Sequence, residues 1–232
     1  MKLDNKIIFL TGAGKGIGRD LFQSFLKSGS YVFALTRSKE DLKKLTNIEK
    51  KNSTIFYGDV RNSKLIKKIF EFSIKKKKII NGIINNAGVR QRKKFDIISQ
   101  KEVNDIFEIN FFSIFKIMQT YVKYCKKLKI KSSIVNIGSI VGETGFSELC
   151  GYGATKGALK SMTQCFSEEY ASQGIRANVV NPGFTKTSYF EKFKKKKKLY
   201  EWTLNKIPAR RWGNTNEISE LVKFLISDES SF

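Results

Sequence analysis

Lys6-Ile-Ile-Phe-Leu-Thr-Gly-Ala-Gly-Lys-Gly-Ile-Gly18 is the stretch that decides the fold. An apolar run, Ile7 to Leu10, passes straight into Gly12, Gly14, Gly16 and Gly18, after which apolar residues fall at helical spacing, Leu21, Phe22, Phe25 and Leu26. The pattern reads as strand, tight loop, helix. Glycine at such a junction admits positive φ and lets main-chain N–H groups approach a ligand, and the helix beginning there turns its positive dipole end outward. A pyrophosphate suits that end, with Gly12, Gly14, Lys15, Gly16, Ile17 and Gly18 as the cradle.

A chain of 232 residues without a linker-like or repeated segment suits one α/β domain spanning residues 1–232. No segment approaches ~18 uninterrupted apolar residues and no signal-like core opens the chain, so a cytoplasmic protein without a membrane span is expected. Cys125, Cys150 and Cys165 form no C-x-x-C pair, which suits reduced thiols with neither disulfide nor metal. Histidine is absent, which removes Ser-His-Asp and Cys-His mechanisms and leaves proton chemistry to Tyr, Lys, Asp, Glu or Cys. The net charge of +23 reads as a lysine-coated surface, its runs Lys75 to Lys78 and Lys194 to Lys198 falling at helix ends and loops. No aromatic-interleaved motif points to a specific nucleic acid, although non-specific polyanion binding at low salt is expected.

Further strands are expected at 30–35, 54–57, 79–84, 133–138 and 175–180, with a helix, whole or broken, over 99–129 and another from Tyr152 onward. Thr36-Arg37-Ser38 follows the end of the second strand, where a dinucleotide fold meets the adenosine ribose. A basic residue there, joined by Lys15 and faced by no carboxylate, favours the 2′-phosphate of NADP(H) over NAD(H). Asp59 reads equally as a cap for the helix starting near Asn62. The Asn85-Asn86-Ala87-Gly88 stretch closes the fourth strand with two amides that can brace the sheet and two small residues that leave room for a ribose. Ser139 stands beyond the fifth strand, on the side where open α/β sheets bind ligands. Tyr152 and Lys156 share a helix face at i, i+4 spacing.

Together, Thr11-Gly12-x3-Gly16-x-Gly18, Asn85-Asn86-Ala87-Gly88, Asn110, Ser139 and Tyr152-x3-Lys156, in that order, resemble the short-chain dehydrogenase/reductase family over essentially the whole chain. The resemblance implies a Rossmann-like doubly wound parallel sheet with helices on both faces. It implies hydride transfer between NAD(P)(H) and a carbonyl or secondary alcohol. Tyr152 would exchange the proton, its phenol lowered by the Lys156 ammonium and the nicotinamide; Ser139 would steady the substrate oxygen, Lys156 would hold the ribose, and Asn110 would kink its helix and hold a water. Asp59, beside Val60, would contact adenine. Pro182, Gly183 and Thr185 would close on the nicotinamide, and residues 186–206, with Tyr189, Phe190, Phe193 and Trp202, would form a substrate lid. One departure stands out. The sequence stops at Asp228-Glu-Ser-Ser-Phe232, where relatives add a seventh strand, so an exposed sixth-strand edge is expected and one common subunit contact is in doubt. The family implies a homodimer or homotetramer.

Asn86-Ala-Gly-Val-Arg-Gln-Arg92 and Asn205-Lys-Ile-Pro-Ala-Arg-Arg-Trp-Gly213 are similar to the gluconate 5-dehydrogenase branch. The glycine loop with Ala34-Leu-Thr-Arg-Ser-Lys-Glu-Asp-Leu42 is similar to carbonyl and L-xylulose reductases. Both imply a sugar acid, sugar ketone or polyol as the small-molecule substrate, with Arg90 or Arg92 as a candidate partner for a carboxylate. The alternatives are a 3-oxoacyl-carrier-protein reductase, whose acidic carrier would suit the basic surface, and a cofactor-sensing or polyanion-binding protein on the same scaffold.

Overall fold

The structure is a computed structural model that describes residues 2–48, 51–188 and 190–231. Strand and helix alternate through β1 (Ile7–Thr11), α1 (Gly16–Lys27), β2 (Tyr31–Thr36), α2 (Lys39–Ile48), β3 (Ser53–Tyr57), α3 (Ser63–Lys75) and β4 (Gly82–Asn85). There follow α4 (Gln100–Phe107), a π-turn (Glu108–Phe112), α5 (Ser113–Leu128), β5 (Ser132–Ile137), α6 (Cys150–Tyr170) and β6 (Ile175–Val180). The six strands pair in parallel in the order β3-β2-β1-β4-β5-β6, so among the described residues β3 and β6 are the outer strands. A short parallel pair, β7 (Thr185–Lys186) with β8 (Gly213–Asn214), brackets α7 (Phe190–Lys194) and α8 (Lys197–Lys206), and α9 (Thr215–Ile226) closes the described chain.

The unbroken apolar runs of the strands reflect burial on both faces. Successive residues of β1 serve opposite layers: Phe9 packs with Phe33, Phe70, Met118 and Tyr121 on one side of the sheet. Ile8 and Leu10 pack with Phe22, Phe25, Val222 and Ile226 on the other. Helices therefore cover both faces, and the strand order reverses between β1 and β4, the crevice where such sheets take their ligands.

Several boundaries differ from the sequence reading. The fourth strand starts at Gly82, not Ile79, because side chains of α5 satisfy the preceding backbone: Ile80 N–H donates to the Tyr124 hydroxyl at 2.9 Å and Tyr121 donates to the Ile80 carbonyl at 3.1 Å. Ser30 stays outside β2 because its N–H returns to the Phe25 carbonyl at the end of α1. Asn62 rather than Asp59 caps α3, accepting from Leu65 N–H at 3.0 Å. The stretch 99–129 is two helices around a π-turn, opened by a Ser99–Glu102 capping box and carrying the fully buried Asn110 at its break.

Candidate active site

The glycine loop does what its spacing predicts. Gly12 and Gly16 hold φ of +68° and +55°, the left-handed region, and a Cβ on Gly12 would stand 2.8 Å from the Ala87 Cα. A Cβ on Gly18 would collide with the Gly12 carbonyl and the Asn86 amide. Lys15 occupies the N-cap of α1 in extended conformation, and no side chain caps that helix, so its first N–H groups face the crevice. Here a Cβ-free cradle and an open helix end together fit a dinucleotide pyrophosphate.

The loop is locked to the next motif. Asn86 donates to the carbonyls of Thr11 (3.2 Å) and Gly12 (3.0 Å), while the Thr11 hydroxyl accepts from the N–H groups of Asn86 and Ala87, each at 3.1 Å. Asn85 reaches across to Asn136 of β5 at 2.8 Å, and Asn136 donates to Thr163 of α6 at 2.8 Å. Asn110 continues the brace: its carbonyl accepts from Val89 N–H at 2.8 Å, and its amide donates to the Val89 carbonyl (2.9 Å) and Thr155 Oγ1 (3.2 Å). Thr155 in turn donates to the Tyr152 carbonyl at 2.7 Å, so Asn110 ties the loop after β4 to the helix that carries Tyr152 and Lys156.

A cleft of about 750 Å³ gathers Lys15, Ile17, Asn86, Gly88, Ser139, Tyr152, Lys156, Pro182, Gly183 and Thr185. Ser139 is fixed two residues past β5: its N–H donates to Asn181 Oδ1 at 3.0 Å, and its hydroxyl accepts from Val141 N–H at 3.2 Å. Lys156 is buried, and its ammonium donates to the Ile137 carbonyl at 2.7 Å and lies 5.8 Å from the centre of the Tyr152 ring. Desolvation pushes its pKa down to about 8. Burial raises the Tyr152 phenol above its ordinary value, opposed by a hydrogen bond with Ser139 and by the charge of Arg90. Lys156 is not among the groups that shift the Tyr152 phenol, and desolvation outweighs the lowering by Ser139 and Arg90.

Gly12, Gly14, Gly16, Gly18 and Ala87 are not among the residues that line the cleft. Asn110 lies behind Gly88, whose added Cβ would sit 3.3 Å from the Asn110 carbonyl oxygen and 3.8 Å from the Lys156 ammonium. Arg37, Asp59 and Val60 stand outside the cleft lining, beyond β2 and β3. There Asp59 is engaged by Arg61 at 2.9 Å, and that hydrogen bond, together with the nearby Arg37 charge, holds its carboxyl below the usual range. Thr185 donates to the Gly183 carbonyl at 3.1 Å. Over the other end, Phe190 and Phe193 bury against Trp212, which donates to Thr203 at 2.8 Å, while Trp202 stays 43% exposed; Tyr189 lies outside the described residues. Sequence reasoning gave no role to Phe146, Phe184 or Trp212 in the cleft wall, nor to Asn181 as the anchor of Ser139. The only signal for Asn181 was its place at the end of β6, beside β5.

The short chain dehydrogenase family model matches residues 6–198. The chain belongs to this family. Two relatives cover nearly all of this short-chain dehydrogenase. The 3-oxoacyl-[acyl-carrier-protein] reductase of Thermotoga maritima is 32% identical over 100% of this chain and 94% of its own. A tropinone reductase homolog of Arabidopsis thaliana is 34% identical over 99% of this chain and 88% of its own. Among solved structures, ElxO with NADP bound superposes with a TM-score of 0.90 at 26% identity, covering 100% of this chain and 94% of that one. The short-chain dehydrogenase is thus an NAD(P)-dependent oxidoreductase. Among its described residues no helix is long and apolar enough to cross a membrane.

Proposed function

We propose that this enzyme is an NADPH-dependent reductase of 3-oxoacyl thioesters, the convergence of Tyr152, Ser139 and Lys156 on an aromatic-walled cleft being the observation that carries the reading. The glycine cradle would hold the cofactor, whose chemistry there would be hydride donation to a ketone carbon. Tyr152, kept protonated at neutral pH by its burial, gives its proton to the ketone oxygen, and Ser139 hydrogen-bonds the same oxygen as charge develops. Lys156 would bind the nicotinamide ribose and faces the Tyr152 ring, where the phenolate would be left. Asn110 positions α6, and Pro182, Gly183 and Thr185 would close over the nicotinamide.

Phe146, Phe184, Phe193 and Trp212 favour an acyl chain over a polyol, which would leave hydroxyls facing apolar walls. The reductases of this name among the relatives support the same choice. The half-exposed Phe112 and Phe115 on the π-turn and α5 support assembly of like chains into a dimer or tetramer. Substrate choice is tested by NADPH oxidation with an acetoacetyl thioester and with a panel of sugar ketones and 5-ketogluconate. The thioester is expected to give a kcat/KM at least tenfold above any sugar; the reverse order overturns the reading.

Arg37 and Lys15 are the candidates for the 2′-phosphate, and Asp59 with Val60 for the adenine. Arg37→Ala is expected to raise the Kd of NADPH ~10-fold or more, the range for losing a hydrogen bond to a charged group, while changing that of NADH less than twofold. Fluorescence titration of both cofactors checks it, and equal losses refute the assignment.

A further inference from the structure

Beyond Tyr152 the catalytic cleft opens into a second chamber of about 320 Å³, and the two spaces share Arg90, Arg92, Phe146, Phe184 and Phe193. No carboxylate lines either space among the described residues. Cofactor phosphates account for a cation at the glycine loop, but Arg90 and Arg92 lie at the opposite, substrate end. Their loop is fastened on both sides of Arg90: Val89 exchanges two hydrogen bonds with Asn110, and Lys93 N–H donates to the Glu148 carbonyl at 2.8 Å. Arg92 turns to the Glu148 carboxylate at 3.1 Å. Arg90 lines both the cleft that holds Tyr152 and the second chamber, and its positive charge reaches the Tyr152 phenol.

Resting on the 3-oxoacyl reading, we propose that Arg90 is a specificity residue that binds the second oxygen of a 1,3-dicarbonyl substrate, placed two carbons from the ketone that Tyr152 and Ser139 hold. A guanidinium on a pre-fastened loop donates to such an acceptor without first ordering its backbone. A thioester carbonyl and the carboxylate of a free 3-oxo acid present that acceptor at the same spacing, and an isolated ketone lacks it.

The test compares wild type with Arg90→Ala and Arg90→Lys on acetoacetyl-N-acetylcysteamine, acetoacetate and 2-butanone. Arg90→Ala is expected to lower kcat/KM at least tenfold on the 3-oxo compounds, chiefly through KM, and less than threefold on 2-butanone, with Lys recovering part of the loss. Preference for the thioester or for acetoacetate then tells which acceptor Arg90 meets. Equal loss on all three substrates, or none on any, overturns the assignment while leaving the 3-oxoacyl reading intact. If wild type reduces neither 3-oxo compound, the 3-oxoacyl reading falls and takes the Arg90 assignment with it.

Discussion

Tyr152→Phe is expected to lower kcat for ketone reduction by about 10²–10⁴-fold, the usual contribution of a positioned general acid, while NADPH still binds. The substitution removes only the hydroxyl. The ring keeps its place on α6, whose backbone at residue 152 is held by Thr155 and, through it, by Asn110. What disappears is a proton donor that burial keeps in its protonated form and whose conjugate base is steadied by Ser139 and Arg90. Ser139 alone could still polarise the carbonyl, and hydride transfer would have to draw its proton from solvent. Steady-state NADPH oxidation beside a fluorescence titration of NADPH separates the two effects. A loss under tenfold, or a loss explained by weaker NADPH binding, removes Tyr152 from the acid role.

How far the sequence carried this site depended on whether a feature is local. The glycine cradle, the Asn-Asn-Ala-Gly brace and the Tyr152–Lys156 pair each lie within a few consecutive residues, so spacing alone placed them on the right element. The doubly wound sheet was legible because apolar strands and amphipathic helices alternate from Ile7 onward. Features settled by distant partners were not legible. Asp59 looked available for capping, but Asn62 holds the better position for Leu65 N–H, and Arg61 takes the carboxylate. The fourth strand looked longer because Ile79 and Ile80 are apolar, yet Tyr121 and Tyr124, some 40 residues on, claim the backbone there. Similarly, Phe146, Phe184 and Trp212 come from separate loops and meet only when the chain folds. The Tyr152 phenol was expected to fall because its charged neighbour is visible in the sequence, whereas the burial that raises it is not.

Lys156→Met should separate stability from catalysis, and the sign of each effect follows from burial. In the folded protein the ammonium's pKa falls from 10.5 to about 8. At about 1.4 kcal/mol per unit, this amounts to a penalty of roughly 3 kcal/mol. The folded pKa is the lower one, so the unfolded chain binds more protons between pH 8 and 10.5 and wild-type stability rises with pH across that window. Below about pH 8 the whole penalty is present. Methionine fills a similar volume without charge and removes this penalty, but it leaves the Ile137 carbonyl without its 2.7 Å donor, a loss of about 1–3 kcal/mol. At pH 7 the variant is therefore expected to melt at the wild-type temperature or up to ~8 °C above it, given about 2–4 °C per kcal/mol for a domain of this size. As pH rises towards 10.5 wild type should overtake it, because only wild type loses a penalty there. Activity should move the other way, with kcat/KM falling ~10²-fold or more once the cation facing the phenolate and the ribose is gone. Differential scanning calorimetry at a series of pH values, paired with NADPH oxidation, reads both. A melting difference that stays constant with pH would show that Lys156 carries no buried charge, and with it would go the electrostatic role assigned to its ammonium.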